Sequence, residues 1–462
     1  MFSRRAVSKL TTSAPAGFSR RMASTKSLRE TLKEVIPAKQ EQLKKLKAEH
    51  SQTVVGDVKV ENIIGGMRGI KAMLWEASVL DPLEGIRFHG LSIPECQKQL
   101  PTAPDGKEIL PESMLWLLLT GQVPTTEQAR ELSKELAEKG ELPKFVEDLL
   151  DSLPTTLHPM TQMAIGVSAL NHDSAFQANY EKGMKKADYW THTLEDSLSL
   201  VARLPALSAR IYRNVYKPGT DLAAVDKNLD LVGNYSNMLG FGDNKDLTEY
   251  LRLYIAIHGD HEGGNASAHA SHLVASTLAD PFLSYSAGLQ ALAGPLHGLA
   301  NQEVLRWQLN MLKELDGKVT HSDIKDFLWK TLKSGQVVPG YGHGVLRNPD
   351  PRFIALQEFC DTRPELSSSP LVQLVKQTFE VAPDVLKEHG KTKNPFPNVD
   401  AASGCVLYEY GLKDFKYYTV IFGVSRALGC VSQLVWARAL GLPLERPKSY
   451  SIDALEKLIK SQ

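Results

Sequence analysis

Of the 13 histidines in this 462-residue sequence, five fall close together: His258, His261, His269, His272 and His297. Imidazole at that density raises metal ligation first. His269 and His272 are helix-face neighbours three positions apart, and Asp260 and Glu262 flank His261. The H-E-x-x-H spacing of a zinc hydrolase is not completed, because Gly263-Gly264-Asn265 follows His261-Glu262. Core packing and helix capping are the competing uses of such residues. The glycine pair, followed by Ala266-Ser267-Ala268-His269, suggests a close backbone approach and then a helix start. Free N–H groups there favour an anion such as a substrate carboxylate, although a plain turn is the commoner reason for such a pair.

Two further groups carry chemistry. His343 stands in Pro-Gly-Tyr-Gly-His-Gly, where glycines let the chain turn tightly and leave the imidazole open on one side, and Arg347 and Arg352 follow. An imidazole beside guanidinium groups suits a carbonyl to be polarised on a molecule whose carboxylates the arginines hold. Solvated surface charge is the bland use of those arginines. Asp400 lies between Pro-Asn-Val and Ala-Ala-Ser-Gly, a lone acid among apolar and small residues. Desolvation there raises a carboxyl pKa toward the range of a general base, whereas a helix N-cap is the structural alternative.

The elements that must hold these groups read as mostly helical. Ser27 to His50 is a charge-rich amphipathic pattern that Pro37 is expected to interrupt. Thr53, Val54, Val55, Val58 and Val60 around Gly56-Asp57 predict a small hairpin. Further on, Ile324, Phe327, Leu328 and Leu332 share one helical face between a Thr320/Asp323 start and a Ser334-Gly335 stop. Pro205 predicts a kink or two abutting helices within Leu198 to Ile211. Gly/Pro-rich loops at Val338–His343 and Asn394–Asn398 each sit beside a titratable residue, and such loops are common carriers of function.

Composition bounds the rest. At this length one hydrophobic core would be oversized, so two domains are expected. The apolar run Met114 to Leu119 falls far short of a membrane span, and no membrane partner is expected. Lys+Arg and Asp+Glu balance at 53 each, yet the first 29 residues hold seven basic side chains and no acid. The remainder has 46 basic and 53 acidic residues, a net charge of −7, which gives no support to nucleic-acid binding. The leader is basic and rich in Ser, Thr and Ala, as mitochondrial transit peptides are. Cys96, Cys360, Cys405 and Cys430 form no C-x-x-C pair, so neither a disulfide scaffold nor a thiolate zinc site is indicated.

Several long motifs in one order carry a resemblance over nearly the whole chain after the leader. They are Gly65-Gly-Met-Arg-Gly69, Ser78-Val-Leu-Asp-Pro82 with Glu84-Gly-Ile-Arg-Phe88, Asp260-His-Glu-Gly-Gly-Asn265 and Gly294-Pro-Leu-His-Gly-Leu-Ala-Asn-Gln-Glu303. They continue in Val338–His343, Lys393–Asp400, Phe422-Gly-Val-Ser-Arg426 and Leu444-Glu-Arg-Pro-Lys448. The sequence resembles citrate synthases of the eukaryotic mitochondrial type.

That resemblance implies a two-domain, mostly α fold with a short N-terminal hairpin. The expected parts are a leader at 1–26, a large domain at 27–297 and 405–462, and a small mobile domain at 298–404. It implies that Asp400 takes a proton from acetyl-CoA, that His297 stabilises the enol or enolate, and that His343 polarises and protonates the ketone of oxaloacetate. His261, His343, Arg352 and Arg426 match oxaloacetate-binding positions, and Arg446 matches an arginine contributed by the other subunit of a homodimer. Arg68, Lys186, Val337, Val338, Gly340, Tyr341, Arg347 and Asn398 match coenzyme A positions. Acetyl-CoA is a substrate, and no cofactor or metal is implied. The expected place is the mitochondrial matrix, in the tricarboxylic acid cycle.

Three departures qualify the match. Lys186 replaces an arginine, keeping charge but not fork geometry. Gly344 stands where alanine is usual, and Ala402 where histidine is usual. The related mitochondrial 2-methylcitrate synthases, which use propionyl-CoA, also tend to have alanine at the second position, while Asn301 matches citrate synthases. A methyl less beside His343 leaves room for one more on the substrate, worth about 1 to 3 kcal/mol of discrimination. Two rivals remain: a histidine-rich metallohydrolase, separable by a chelator, and a helical interaction protein without activity.

Overall fold

The computed structural model describes residues 26–317 and 320–461, so the expected leader falls outside the described residues up to residue 25. Ser27 opens the first helix, α1 (Leu28–His50), with a capping box: its hydroxyl accepts from the Glu30 N–H, and the Glu30 carboxylate accepts from the Ser27 N–H. The helix runs through Pro37 without the expected break. Pro37 and Lys33, whose carbonyl loses its donor, both face solvent, while Leu28, Leu32 and Ile36 are buried opposite. Water therefore satisfies the freed carbonyl and packing keeps the helix.

The hairpin expected around Gly56-Asp57 does not form. Residues 53–59 have no regular structure, Val54, Val55 and Val58 are exposed, and a short helix, α2 (Val60–Ile64), follows. The hairpin lies later, where β1 (Ser78–Asp81) pairs antiparallel with β2 (Gly85–Phe88), Ser78 opposite Phe88. Burial explains the choice. Leu80, Ile86 and Phe88 are covered by the core, whereas a hairpin with neither face covered is marginal in water.

Helices make up the remainder. α3 (Pro111–Thr120) is buried along its whole length. α4 (Tyr189–Tyr216) is one continuous helix through Pro205, not two abutting ones. The Ser208 hydroxyl donates to the carbonyls of Leu204 and Pro205, and the apolar side chains around the proline are buried. There follow α5 (Lys245–Ile257), α6 (Ala266–Ser276), α7 (Pro281–Leu292), α8 (Ala300–Glu314) and α9 (His321–Lys333). α9 has the expected Thr320 cap and the expected buried face. The last are α10 (Pro351–Asp361), α11 (Pro370–His389), α12 (Asp400–Glu409), α13 (Tyr418–Leu440) and α14 (Ile452–Lys460).

Every residue of α13 is buried, and α1, α3, α4, α5, α6 and α7 pack around it. Phe415–Leu440 is long and apolar enough to cross a membrane by composition alone, although glycines, serines and Arg426 break up its apolar run. Here the protein itself covers it. Each fully buried aliphatic side chain contributes about 1.5 to 3 kcal/mol, so the wall of helices around α13 is the rigid frame of the site. A second cluster, including Met311, Phe327, Leu328, Leu374 and Leu386, lies between α8, α9 and α11. α14 has no buried residue.

Candidate active site

Three turns that the core helices hold in place converge. Asn265 caps α6 by accepting from the Ala268 N–H at 3.1 Å, which leaves the N–H of Ser267 pointing outward. That N–H donates to Nε2 of His297 at 3.3 Å, and the Ser267 hydroxyl lies 2.8 Å from the same nitrogen. A backbone N–H only donates, so Nε2 is an acceptor and the neutral ring carries its proton on Nδ1. His297 itself sits in the turn before α8, with its N–H bonded to the Gly294 carbonyl.

The second turn carries His343. Gly340 has φ +78°, and a Cβ there would lie 2.9 Å from the Cα of Ala401 in α12. Only glycine lets the loop rest so closely on that helix. The loop is stitched to its neighbour by Asn398 N–H to the Gly340 carbonyl at 2.9 Å, Gly342 N–H to the Phe396 carbonyl at 3.0 Å, and Asn398 Nδ2 to the Gly342 carbonyl at 3.1 Å. Nδ1 of His343 accepts from the N–H groups of Val345 and Leu346 at 3.0 and 3.1 Å. Its proton therefore sits on Nε2. The two imidazoles are locked in opposite tautomers, each with one N–H left to donate.

The third turn delivers Asp400 as the first residue of α12, its N–H bonded to Oδ1 of Asn398 at 3.0 Å. Val399 occupies the cap position, so Asp400 is not the N-cap, and its carboxylate accepts no hydrogen bond from the described residues. Gln308 Nε2 holds the Ala401 carbonyl at 2.7 Å, and Asn301 Nδ2 holds the Ser403 hydroxyl at 2.6 Å, tying α12 to α8.

Charge sets the protonation states. Burial pushes His297 and His343 down to about 4, helped by Arg426 and Arg352 respectively, so both are neutral at pH 7. Burial pushes Asp400 up to about 6 against the pull of Arg352 and Arg426. His261 is held well below its ordinary value by burial, then by Arg352, His343 and Arg426; its ring lies 5.4 Å from that of His343. These shared influences place His261, His297, His343 and Asp400 in one neighbourhood with Arg352 and Arg426.

The arginines differ. Arg352, buried, forms a two-pronged pair with Asp350 at 3.0 and 2.7 Å. Burial raises the Asp350 carboxyl, but Arg352 more than offsets this and holds it below the usual range. Arg426 is 2% exposed, lies over the Phe422 ring, and has Nε and Nη1 without a partner. A buried guanidinium with open donors is costly unless an anion fills the gap.

The coenzyme A candidates fall into two sets: Val337, Val338, Gly340, Tyr341, Arg347 and Asn398 lie on the His343 loop and the segment stitched to it, while Arg68 and Lys186 lie on other elements. Val338 is buried, Val337 is exposed, and Tyr341 bridges to Pro397. Arg347 is exposed and curls onto the carbonyls of Val345 and Leu346. Arg68 lies exposed in the turn after α2. Lys186 sits against Gly441 on a cavity of about 440 Å³ that also involves Tyr189, Ser276 and Arg438. Arg446 is exposed and makes no hydrogen bond or ion pair within the described residues.

Sequence reasoning passed over Ser267 and Asp350. Asp350 had a signal, an N-cap acid before Pro351 at the start of α10; Ser267 had only the expected helix start after Asn265, and nothing nearby marks His297, 30 residues on, as the partner of its N–H and hydroxyl. His269 and His272, the suggested metal pair, both bond Glu445. Among the described residues no cluster of three or more His, Cys, Asp and Glu is placed to hold a metal. All four cysteines are free and buried.

The sequence matches the family described as citrate synthase, C-terminal domain, over residues 66–448. A mitochondrial 2-methylcitrate synthase from Fusarium solani is 58% identical over 438 residues, 94% of this chain and 93% of the relative. A mitochondrial citrate synthase from Daucus carota is 57% identical over 438 residues, 95% of this chain and 92% of the relative. Among solved structures, citrate synthase from Pyrobaculum aerophilum superposes with a TM-score of 0.73 at 25% identity, over 87% of this chain and 97% of that one.

Proposed function

The chain belongs to the citrate synthase family, and from that premise we propose that it condenses a short acyl-coenzyme A with oxaloacetate and water. Acetyl-CoA gives citrate and free coenzyme A. The observation that carries this reading is the pair of neutral imidazoles in opposite tautomers that share the influence of Arg352 and Arg426 with a carboxyl raised to about 6.

A thioester α-proton is very weakly acidic, so a carboxylate removes it only while the developing oxyanion is stabilised. Asp400 takes the proton as Nδ1–H of His297 donates to the thioester oxygen. The new carbon nucleophile attacks the ketone carbon of oxaloacetate, and His343 supplies Nε2–H to the oxygen that becomes the alcohol. Water then hydrolyses the thioester, freeing the thiol. Arg426, with its open donors, and Arg352 and His261 hold the two carboxylates and fix the ketone for attack. Residues 298–404 close over the remainder to keep water out until the bond has formed. Coenzyme A lies along Val337, Val338, Gly340, Tyr341, Arg347 and Asn398, with Arg68 and Lys186 toward its phosphates. The reading calls for no cofactor.

A second substrate has its own support. A Cβ built on Gly344 meets nothing within 4 Å, so glycine is not required there by packing, and Ala402 is small. With a 2-methylcitrate synthase at 58% identity, this favours turnover of propionyl-CoA as well. The proposal extends to a homodimer that shares Arg446, supported by the exposed arm at 443–450 and the uncovered α14. It places the protein in the mitochondrial matrix, supported by the basic leader and the relatives' location, with acetyl turnover as a tricarboxylic acid cycle step. A thiol-release assay with oxaloacetate, comparing acetyl- and propionyl-CoA, tests it. Release with both is expected; release with neither overturns the reading, and release with acetyl alone removes its propionyl part.

A further inference from the structure

Past α13 the chain leaves the core as an irregular segment before α14 begins. From Pro443 to Tyr450 every residue is exposed except Glu445. Its carboxylate accepts from Nε2 of His269 at 3.3 Å on one oxygen and from Nδ1 of His272 on the other. Its own N–H donates to the Ser276 hydroxyl at 3.1 Å. All three partners lie on α6, whose other end supplies the Ser267 N–H to His297.

The clasp has a defined hydrogen-bond arithmetic. A carboxylate only accepts, so each imidazole presents an N–H, from Nε2 on His269 and from Nδ1 on His272. Both bonds form with neutral rings and need no added proton. His272 is nearly buried, and its ring lies 5.9 Å from that of Trp75. The Trp75 N–H in turn donates to Asp260 at 3.0 Å, next to His261. The anchor is thus built on the rigid side, and the free side begins at the next residue, Arg446.

We propose that Glu445 is a positioning residue: its clasp on His269, His272 and Ser276 fixes where the arm leaves the surface and so where Arg446 is presented to the oxaloacetate site of a second copy of this chain. The inference rests on the reading of Arg446 given above. An ordinary surface ion pair adds at most about 1 kcal/mol of stability and leaves substrate binding alone, so kinetics separate the two roles.

The test uses the full chain, with steady-state kinetics and sedimentation on Glu445→Ala, Glu445→Gln and Arg446→Ala. Glu445→Ala is expected to raise the oxaloacetate KM about tenfold with the acyl-CoA KM within about twofold, as lost preorganisation of one carboxylate contact should. Glu445→Gln, which keeps one acceptor, should recover part of the loss, and both variants should sediment as the wild type does. An unchanged oxaloacetate KM in Glu445→Ala, with a raised one in Arg446→Ala, overturns the inference and leaves the reading of Arg446 standing. An unchanged KM in Arg446→Ala overturns both. If Glu445→Ala fails to fold, His269→Ala removes one of the two imidazole bonds; a KM rise of about threefold supports the clasp, and no rise refutes it.

Discussion

The raised pKa of Asp400 makes the pH dependence of kcat/KM a direct reading of the site. Ordinary aspartate titrates near 3.8, and burial moves this one to about 6. The sign is fixed by the chemistry, because the base must be ionised, so activity rises with pH through the folded-state value. With that value the carboxyl is about nine-tenths ionised at pH 7 and about one-tenth at pH 5, and kcat/KM should fall roughly tenfold between them. His297 and His343, at about 4, stay neutral over that interval and add nothing to the limb. The assay is thiol release at subsaturating acyl-CoA from pH 4.5 to 8, repeated at two temperatures. A carboxyl limb barely moves on warming, whereas an imidazole limb shifts clearly. Flat activity down to about pH 5, or a limb near 6 that moves with temperature as an imidazole does, would refute the assignment.

Other perturbations test other parts. Arg426→Met removes a buried guanidinium with two unpartnered nitrogens; it should stabilise the substrate-free protein by about 1 to 4 kcal/mol in chemical denaturation while raising the oxaloacetate KM at least tenfold. Gly344→Ala places its methyl in open space; the denaturation midpoint should not change, and the propionyl-to-acetyl ratio of kcat/KM should drop about tenfold. Gly340→Ala forces φ +78° on a Cβ that lies 2.9 Å from Ala401; it should cost about 1 to 3 kcal/mol by the same denaturation measurement and lower kcat, since the His343 loop lifts from the start of α12.

How much of this was legible depended on where each partner lies along the chain. Helix ends signalled by adjacent residues, such as Thr320 before α9, could be read directly. His343 and Asp400 stood out because their loops are marked by Gly and Pro within a few positions. The misplaced hairpin shows what local pattern lacks: Val54, Val55 and Val58 have strand propensity but no covering surface, whereas Leu80, Ile86 and Phe88 acquire one from distant segments. Pro37 and Pro205 were overruled by packing on the core around α13. Glu445 is more than 170 residues from His269, so nothing local marks the two imidazoles as its donors rather than as core, capping or metal-binding side chains. Ser267 meets His297, 30 residues away, through both its N–H and its hydroxyl, and a helix start does not announce so distant a partner.

The central claim is that Asp400 moves the α-proton while other residues hold oxaloacetate. Asp400→Ala, compared with the wild type by calorimetric oxaloacetate titration and by thiol release, tests it most directly. The account predicts an oxaloacetate Kd within about threefold of wild type and thiol release lowered by about a thousandfold or more. Thiol release within tenfold of wild type, or lost oxaloacetate binding in a folded variant, would contradict it.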